Sequence, residues 1–290
     1  MKSNNYDFAV IGGDLRQEYI VSFLIDYGFS VIVYGLNIEP SLEGYSIGNS
    51  LADVMKSASV LITPIPFTID KIHIKSQNNP DDLTIENFIN NLDCNHLVYG
   101  GSFGNELISY FEQTCICYYD FMKKEEIILY NSIATAEGAI AEAIKLSKIN
   151  LHDSSCLVLG FGRCGKTLAI KLSGLCQNLS VALRSSVANM EARTHGFNVV
   201  EFKDLKKHVG EYDFIFNTVP TLILPEDVLD KTKQDVTIID IASSPGGVDY
   251  KYAKKKGINA NLCLGLPGKY APKSSAEYLV SCMLEDLREW

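Results

Sequence analysis

What this sequence lacks narrows it first. No uninterrupted apolar run approaches the roughly 18 residues that would suggest a bilayer span. The opening residues Met1-Lys2-Ser3-Asn4-Asn5-Tyr6-Asp7 lack the basic start and apolar stretch of an export signal. Basic residues are in deficit: 26 Lys and Arg against 35 Asp and Glu leave a net charge of −9. That balance argues against a general nucleic-acid binder, which needs a basic surface to displace counterions, but it permits a small anion held in a local positive pocket. None of the eight cysteines, Cys94, Cys115, Cys117, Cys156, Cys164, Cys176, Cys263 and Cys282, forms a Cys-x-x-Cys pair. They read as reduced thiols of the core, and no metal site is suggested. No low-complexity or proline-rich linker divides the chain. What remains is a cytoplasmic globular protein without a membrane partner, and 47% hydrophobic with 21% charged residues is an ordinary composition for one.

What is present is an alternation. Short apolar runs at 8–11, 30–34, 60–63, 96–99 and 115–118, then at 156–159, 180–183, 199–202, 214–217, 237–241 and 259–263, are separated by segments of helical period. Alternating strands and helices predict parallel α/β layers, and 290 residues suffice for two domains. The first strand runs into Gly12-Gly13 and its counterpart at 156–159 into Gly160-Phe161-Gly162, so the expected fold is two Rossmann-like doubly wound parallel-sheet domains. Residues 132–147, rich in alanine, predict one long helix between them, and 274–287 a second amphipathic helix that returns to the first domain. The two crossing helices would form a hinge above an interdomain cleft.

The run Gly160-Phe161-Gly162-Arg163-Cys164-Gly165 follows a strand and opens a helix over 166–175, the setting in which a GxGxxG turn binds a dinucleotide. The first glycine permits the turn, the second admits the pyrophosphate, and the third lets helix and strand pack closely. The helix N-terminus supplies N–H groups and dipole for phosphate. At the end of the next strand, where an NAD site usually carries Asp or Glu, stand Arg184, Ser185 and Ser186. A guanidinium with two hydroxyls suits a ribose 2′-phosphate, so NADP is expected rather than NAD. Thr218, Val219 and Pro220 after one strand, Asp240, Ala242 and Ser243 after the next, and Gly265 and Pro267 after the last are expected to line the nicotinamide side, because ligands of doubly wound sheets lie outside the carboxyl ends of strands. The division predicted is therefore a substrate or catalytic domain over 1–130, an interdomain helix over 131–150, an NADP-binding domain over 151–271, and a returning helix over 272–290.

Ile11-Gly12-Gly13-Asp14-Leu15-Arg16-Gln17, Tyr130-Asn131-Ser132-Ile133 with Glu137-Gly138, Leu159-Gly160-Phe161-Gly162-Arg163, Asp240-Ile241-Ala242-Ser243 with Pro245-Gly246-Gly247, and Gly265-Leu266-Pro267-Gly268 with Ala271-Pro272-Lys273 together resemble the A subunit of dipicolinate synthase from endospore-forming bacteria. These segments fall in the same order from residue 10 to 273; residues 35–95 match less closely. The resemblance implies NADP-dependent oxidation of dihydrodipicolinate, formed from 4-hydroxy-tetrahydrodipicolinate, to dipicolinate during sporulation. It also implies the flavoprotein-like B subunit of dipicolinate synthase as partner and the mother-cell cytoplasm as setting; a homo-oligomer is compatible.

Such a substrate is a small planar dicarboxylate, so cationic and hydroxyl donors are sought. Arg16, beyond the Gly12-Gly13 turn, is the first choice for one carboxylate. Ser102 is a second donor, and Asn131, Ser132 and Thr135 stand where the long helix is expected to begin, so that free N–H groups there would favour an anion. Lys269 and Lys273 are weaker candidates. For the proton released, Glu137 and Asp14 are the catalytic candidates, with Asp240 a further possibility that more readily orients a loop or a ribose. His73, His96, His152, His195 and His208 all fall outside the loops assigned to the cleft.

Two other readings stay open. A D-2-hydroxyacid dehydrogenase shares the two-domain plan, but Ala242-Ser243-Ser244 replaces its arginine, and Gly265-Leu266-Pro267-Gly268 carries no histidine to act as acid. The chain can also be an NADP(H)-binding regulatory or assembly subunit, with the redox chemistry on the B subunit. The cofactor preference is testable by itself. Arg184→Asp should reverse the ratio of NADP to NAD dissociation constants by about tenfold or more, since a charged hydrogen bond contributes about 1.5–3 kcal/mol.

Overall fold

The computed structural model describes residues 5–289; residues 1–4 and 290, the outer ends of the expected first domain and returning helix, lie outside the described part. The chain forms two compact units, Met1–Ile128 with Ala271–Trp290, and Leu129–Tyr270. In chain order the first unit contains β1 (Phe8–Ile11), α1 (Leu15–Asp26), β2 (Val31–Tyr34), β3 (Tyr45–Ile47), α2 (Leu51–Ser57), β4 (Val60–Ile62), α3 (Ile85–Asn91), β5 (Leu97–Gly100), α4 (Asn105–Gln113) and β6 (Cys117–Asp120). Helix α5 (Glu125–Leu146) leads into the second unit, which contains β7 (Ser155–Leu159), α6 (Arg163–Leu172), β8 (Asn178–Leu183), α7 (Ser186–Thr194), β9 (Asn198–Glu201), α8 (Leu205–His208), β10 (Phe214–Asn217), α9 (Glu226–Leu229), β11 (Thr237–Asp240), α10 (Tyr250–Lys256), β12 (Asn259–Leu262) and α11 (Leu266–Tyr270). Helix α12 (Pro272–Glu289) belongs to the first unit.

Each unit has one six-stranded sheet, in the orders β3-β2-β1-β4-β5-β6 and β12-β11-β10-β7-β8-β9. All pairings are parallel. Both are the doubly wound order, whose switch point lies between the first and fourth strands: β1 and β4 in one unit, β7 and β10 in the other. Strand alternation distributes the side chains. Phe8 and Val10 pack with α1 and α12 on one face, while Ala9 and Ile11 pack with α2, α3 and α4 on the other. In the second unit Cys156 and Val158 face α5 and α6, whereas Leu157 and Leu159 face α8, α9 and α10.

Three sequence expectations need correction. Helix α5 begins seven residues before the expected start at 132, because the acidic first turn Glu125-Glu126 already supports helix. By length and mean hydropathy it could cross a bilayer, but half of it is buried, and Ala136, Ala139 and Ala143 sit in the core of the second unit. Strand β6 lies two residues later than expected, since Cys115, at φ 54°, is in the turn ahead of it. Strand β3, an edge strand reading Tyr-Ser-Ile, carries too short an apolar signal to be seen in the sequence. The thiols also differ from expectation: Cys156 is buried, Cys94 and Cys115 are exposed, and the others lie between.

The terminal helix is held by more than apolar packing. Ala276, Leu279, Val280 and Met283 enter the core of the first unit, and Asp286 Oδ2 accepts a 2.6 Å hydrogen bond from the hydroxyl of buried Tyr99. Burial and the neighbouring Asp286 carboxylate push the Tyr99 phenol well above its ordinary value, so it remains a donor. Asp286→Ala should lower unfolding stability by about 1–3 kcal/mol, the cost of an unpaired buried hydroxyl. Adding Tyr99→Phe should recover part of that loss in urea titrations, because it removes the orphaned group.

Candidate functional site

Gly160, at φ +95°, makes the turn that brings β7 into α6. A β-carbon on Gly165 would lie 2.3 Å from the Gly160 carbonyl oxygen, so only glycine allows α6 to start this close to the strand. Gly162 is different: a β-carbon there meets nothing within 4 Å, and the residue is exposed. The open space above Gly162, with α6 starting at Arg163, fits the pyrophosphate of a dinucleotide. Phe161 turns its ring into the core against Phe197, Arg163 is exposed, and Cys164 is half-buried with its thiol raised mainly by burial. Helix α6 begins three residues earlier than the sequence suggests, directly on the glycine turn.

At the end of β8, Arg184, Ser185 and Ser186 are exposed. The Arg184 guanidinium lies 5.8 Å over the Phe202 ring, and Ser185 caps α7, its hydroxyl accepting from the Ala188 N–H. On the other side of the switch point, Thr218 reaches the glycine turn: its N–H and hydroxyl both donate to the Leu159 carbonyl. Val219 is half-buried and Pro220 exposed. Beyond β11, Ala242 is buried and Ser243 exposed.

Asp240 itself is fully buried, and both its oxygens are taken within the protein by Asn217, Tyr250 and the N–H groups of Ala242 and Gly247. It holds its loop and offers nothing to a ribose, which corrects its expected place among the cofactor ligands. Gly265, at φ +66°, precedes α11, whose Leu266, Pro267 and Gly268 are buried. A β-carbon on Gly138 of α5 would approach Leu266 and Tyr270 to 2.9 Å, and Lys269 is paired to buried Glu142. Helix α11 is thus packed onto α5 rather than free to close over a ligand, and Lys269 is engaged.

The residues expected at the start of α5 lie inside the helix, so their N–H groups serve helical bonds. Thr135 donates to the Asn131 carbonyl, and buried Ser132 shares a 2.8 Å hydrogen bond with Thr167 of α6. Glu137 is exposed and paired to Lys171 at 2.8 Å. Lys171 is in the last turn of α6, about 12 Å along that helix from the glycine turn at 1.5 Å per residue. Glu137 therefore lies away from the ligand edge of its unit, which corrects its reading as a base beside the ring.

At the carboxyl edge of the first unit the Gly12-Gly13 turn is filled by the chain itself. A β-carbon on Gly12 would meet the Lys75 carbonyl oxygen at 2.5 Å, and that oxygen accepts the Gly13 N–H. A dinucleotide has no room there. Asp14 caps α1 in a reciprocal capping box with Gln17. Arg16, expected to reach outward, is buried instead; its Nε and Nη2 donate to Asp14 at 2.9 and 2.8 Å, and Nη2 also to the Ile65 carbonyl. Lys75 Nζ joins the same carboxylate at 2.6 Å. Asp14 thus shares two cations, Arg16 and Lys75. Lys75 escaped the sequence reading because it lies 61 residues from Asp14 in a stretch without periodic pattern. Ser102 is exposed at φ 58°, its N–H bonded to buried Asp120. Lys273 is exposed.

Burial tends to raise the Asp14 carboxyl, but Arg16 and Lys75 together hold it well below the ordinary value of 3.8. A carboxylate held so low is a poor proton acceptor, which counts against Asp14 as base. Because its folded value is depressed, its stabilising effect is complete above 3.8 and lost as the pH falls below that. Asp14→Asn should therefore be less stable than the parent at pH 7 by about 2 kcal/mol. The difference should shrink in unfolding titrations below pH about 4.

Residues 7–122 match the N-terminal domain of the dipicolinate synthase A subunit. The A subunit of dipicolinate synthase from Bacillus subtilis (strain 168) is 30% identical over 283 residues, covering 97% of this chain and 95% of that protein. The crystal structure of the corresponding A subunit from Bacillus halodurans superposes with a TM-score of 0.86 at 28% identity, covering 98% of each chain. A transhydrogenase from Sinorhizobium meliloti shares the fold, with a TM-score of 0.68 at 16% identity over 95% of this chain and 93% of its own. Matched over nearly its whole length by such relatives, and carrying a dinucleotide-type glycine turn on a doubly wound sheet, this chain belongs to the dipicolinate synthase A-subunit family.

Proposed function

We propose that this protein is a pyridine-nucleotide oxidoreductase that oxidises dihydrodipicolinate to dipicolinate with NADP, as the A subunit of a dipicolinate synthase in the mother-cell cytoplasm of a sporulating bacterium. The observation that carries the reading is the open glycine turn at Gly160–Gly165, leading straight into α6 with Arg184 at the end of the neighbouring strand. Gly162 leaves the room, the first N–H groups of α6 face it, and Arg184 with Ser185 and Ser186 gives the 2′-phosphate its partners. The relatives' designation as the A component of a synthase supports a partner B subunit.

In this reading the Asp14–Arg16–Lys75 edge of the first unit takes the substrate. Lys75, beside the Asp14–Arg16 pair, supplies the charge for one carboxylate, and the Ser102 hydroxyl donates to the ligand at the same edge. A bound NADP would supply the acceptor for a hydride from a ring carbon of the dihydropyridine, and loss of one proton would leave the ring aromatic. Aromatisation drives the step, so the chain's task is to hold the dicarboxylate in place. Asp14 and Asp240 are fully engaged and Glu137 lies away from the glycine turn, so the proton passes to water in this scheme.

Those engaged carboxylates also support a second reading, in which this chain binds NADP(H) for regulation or assembly and the B subunit carries the redox step. A single assay separates the two. The purified chain mixed with 4-hydroxy-tetrahydrodipicolinate and NADP should produce NADPH absorbance and the pyridine product. Turnover only after the B subunit is added would favour the second reading. Lys75→Ala should raise KM for the substrate about tenfold or more, and an unchanged KM would sink the assignment of this edge.

A further inference from the structure

Buried polar groups in the second unit converge on one point that the glycine turn does not explain. Asn217, at the end of β10, and Asp240, at the end of β11, are both 0% exposed. Asn217 Nδ2 donates to Asp240 Oδ1 at 2.9 Å and to the Val219 carbonyl at 3.0 Å, while its Oδ1 accepts the Val219 N–H at 3.0 Å. Asp240 Oδ1 also accepts the Ala242 N–H at 3.0 Å, and Oδ2 accepts the Gly247 N–H and the Tyr250 hydroxyl, each at 2.7 Å. The glycines of Pro245-Gly246-Gly247 are there because this cluster leaves no room for side chains. A β-carbon on Gly246 would meet Asp240 Oδ2 at 2.6 Å, and one on Gly247 would meet Asn217 Nδ2 at 2.5 Å.

Two loops are therefore tied to each other at their bases while their tips stay accessible. Pro220 is exposed in one, and Ser243, Ser244 and Pro245 in the other. The first loop is also tied to the glycine turn, since a β-carbon on Gly160 would meet Thr218 Oγ1 at 2.5 Å. In the dinucleotide reading Arg184, just after β8, marks the adenosine side. A dinucleotide crossing the switch point from there carries its other end over β10 and β11, where these loops are. Four donors on one buried carboxylate, all from within the unit, form a rigid polar network rather than a ligand site.

We propose that Asp240, with Asn217 and Tyr250, is a positioning cluster that fixes the Thr218–Pro220 and Ser243–Gly247 loops as the walls holding the nicotinamide half of the cofactor. The proposal rests on the dinucleotide reading above. It assigns the cluster no contact with the cofactor and no part in proton transfer. Its effect is specific to one end of the ligand, because the adenosine side depends on Arg184 and the pyrophosphate on α6.

The test compares two probes that differ in the nicotinamide ring: NADPH, and 2′-phospho-ADP-ribose, which lacks it. Tyr250→Phe removes one hydroxyl and keeps the ring; Asp240→Asn removes charge and keeps shape. The parent protein should bind NADPH more tightly than the fragment. Each variant should weaken NADPH about tenfold, leave the fragment within about twofold, and return the emission of bound NADPH toward that of free NADPH. Equal weakening of both probes, or no change in either, would overturn the positioning role while leaving the dinucleotide site in place. Equal affinity of the parent for both probes would do the same. A parent that binds neither probe would overturn the dinucleotide reading and this role with it.

Discussion

The approach of α6 to β7 governs the second unit. Gly165 places the first turn of the helix so near the Gly160 carbonyl that any β-carbon would collide at 2.3 Å. That contact aims the first N–H groups of the helix over Gly162, where the protein leaves open space. Thr218 then packs against the same turn, so the loop after β10 is positioned by the glycine contact as well. Moving α6 outward by even the width of a methyl group would open the turn, displace Thr218 and undo the alignment of both loops.

The first unit has the same strand order and a similar glycine pair, yet it resolves the turn differently. Its Gly12 amide donates to the Tyr34 carbonyl and its Gly13 amide to the Lys75 carbonyl, so neither faces solvent. The segment that would leave a crevice open fills it, and in doing so brings a lysine ammonium to the carboxylate that caps α1. One topology thus yields an open phosphate-sized cradle in one unit and a closed edge carrying an ion-paired lysine and arginine in the other. The difference lies in a chain insertion between strands and not in the sheet.

Buried and half-buried carboxylates are treated alike in both units. Asp14 is answered by Arg16 and Lys75, Asp240 by four internal donors, and Asp286 by Tyr99. Burying a carboxylate without partners would cost several kcal/mol, so each such group becomes a node that ties distant segments together. The same constraint explains why carboxylates that look catalytic in isolation serve as structural anions here.

The α/β alternation, the two sheets, the glycine turn and the place of Arg184 beside it are legible in the chain itself. These depend on periodicity and on backbone demands felt within a few residues, which leave a local mark. Short elements such as β3, and the true start of α5, were illegible because their signal is a single turn or an edge strand rather than a repeated pattern. That Lys75 meets Asp14, 61 residues away, and Tyr99 meets Asp286 across 187, follows from folding alone. Folding also turned Arg16 inward, removed Glu137 from the ligand edge, and gave Asp240 to Asn217 and Tyr250. Such pairings are chosen by which segments the folded core brings together, and a buried polar group takes whatever partner lies within hydrogen-bond reach.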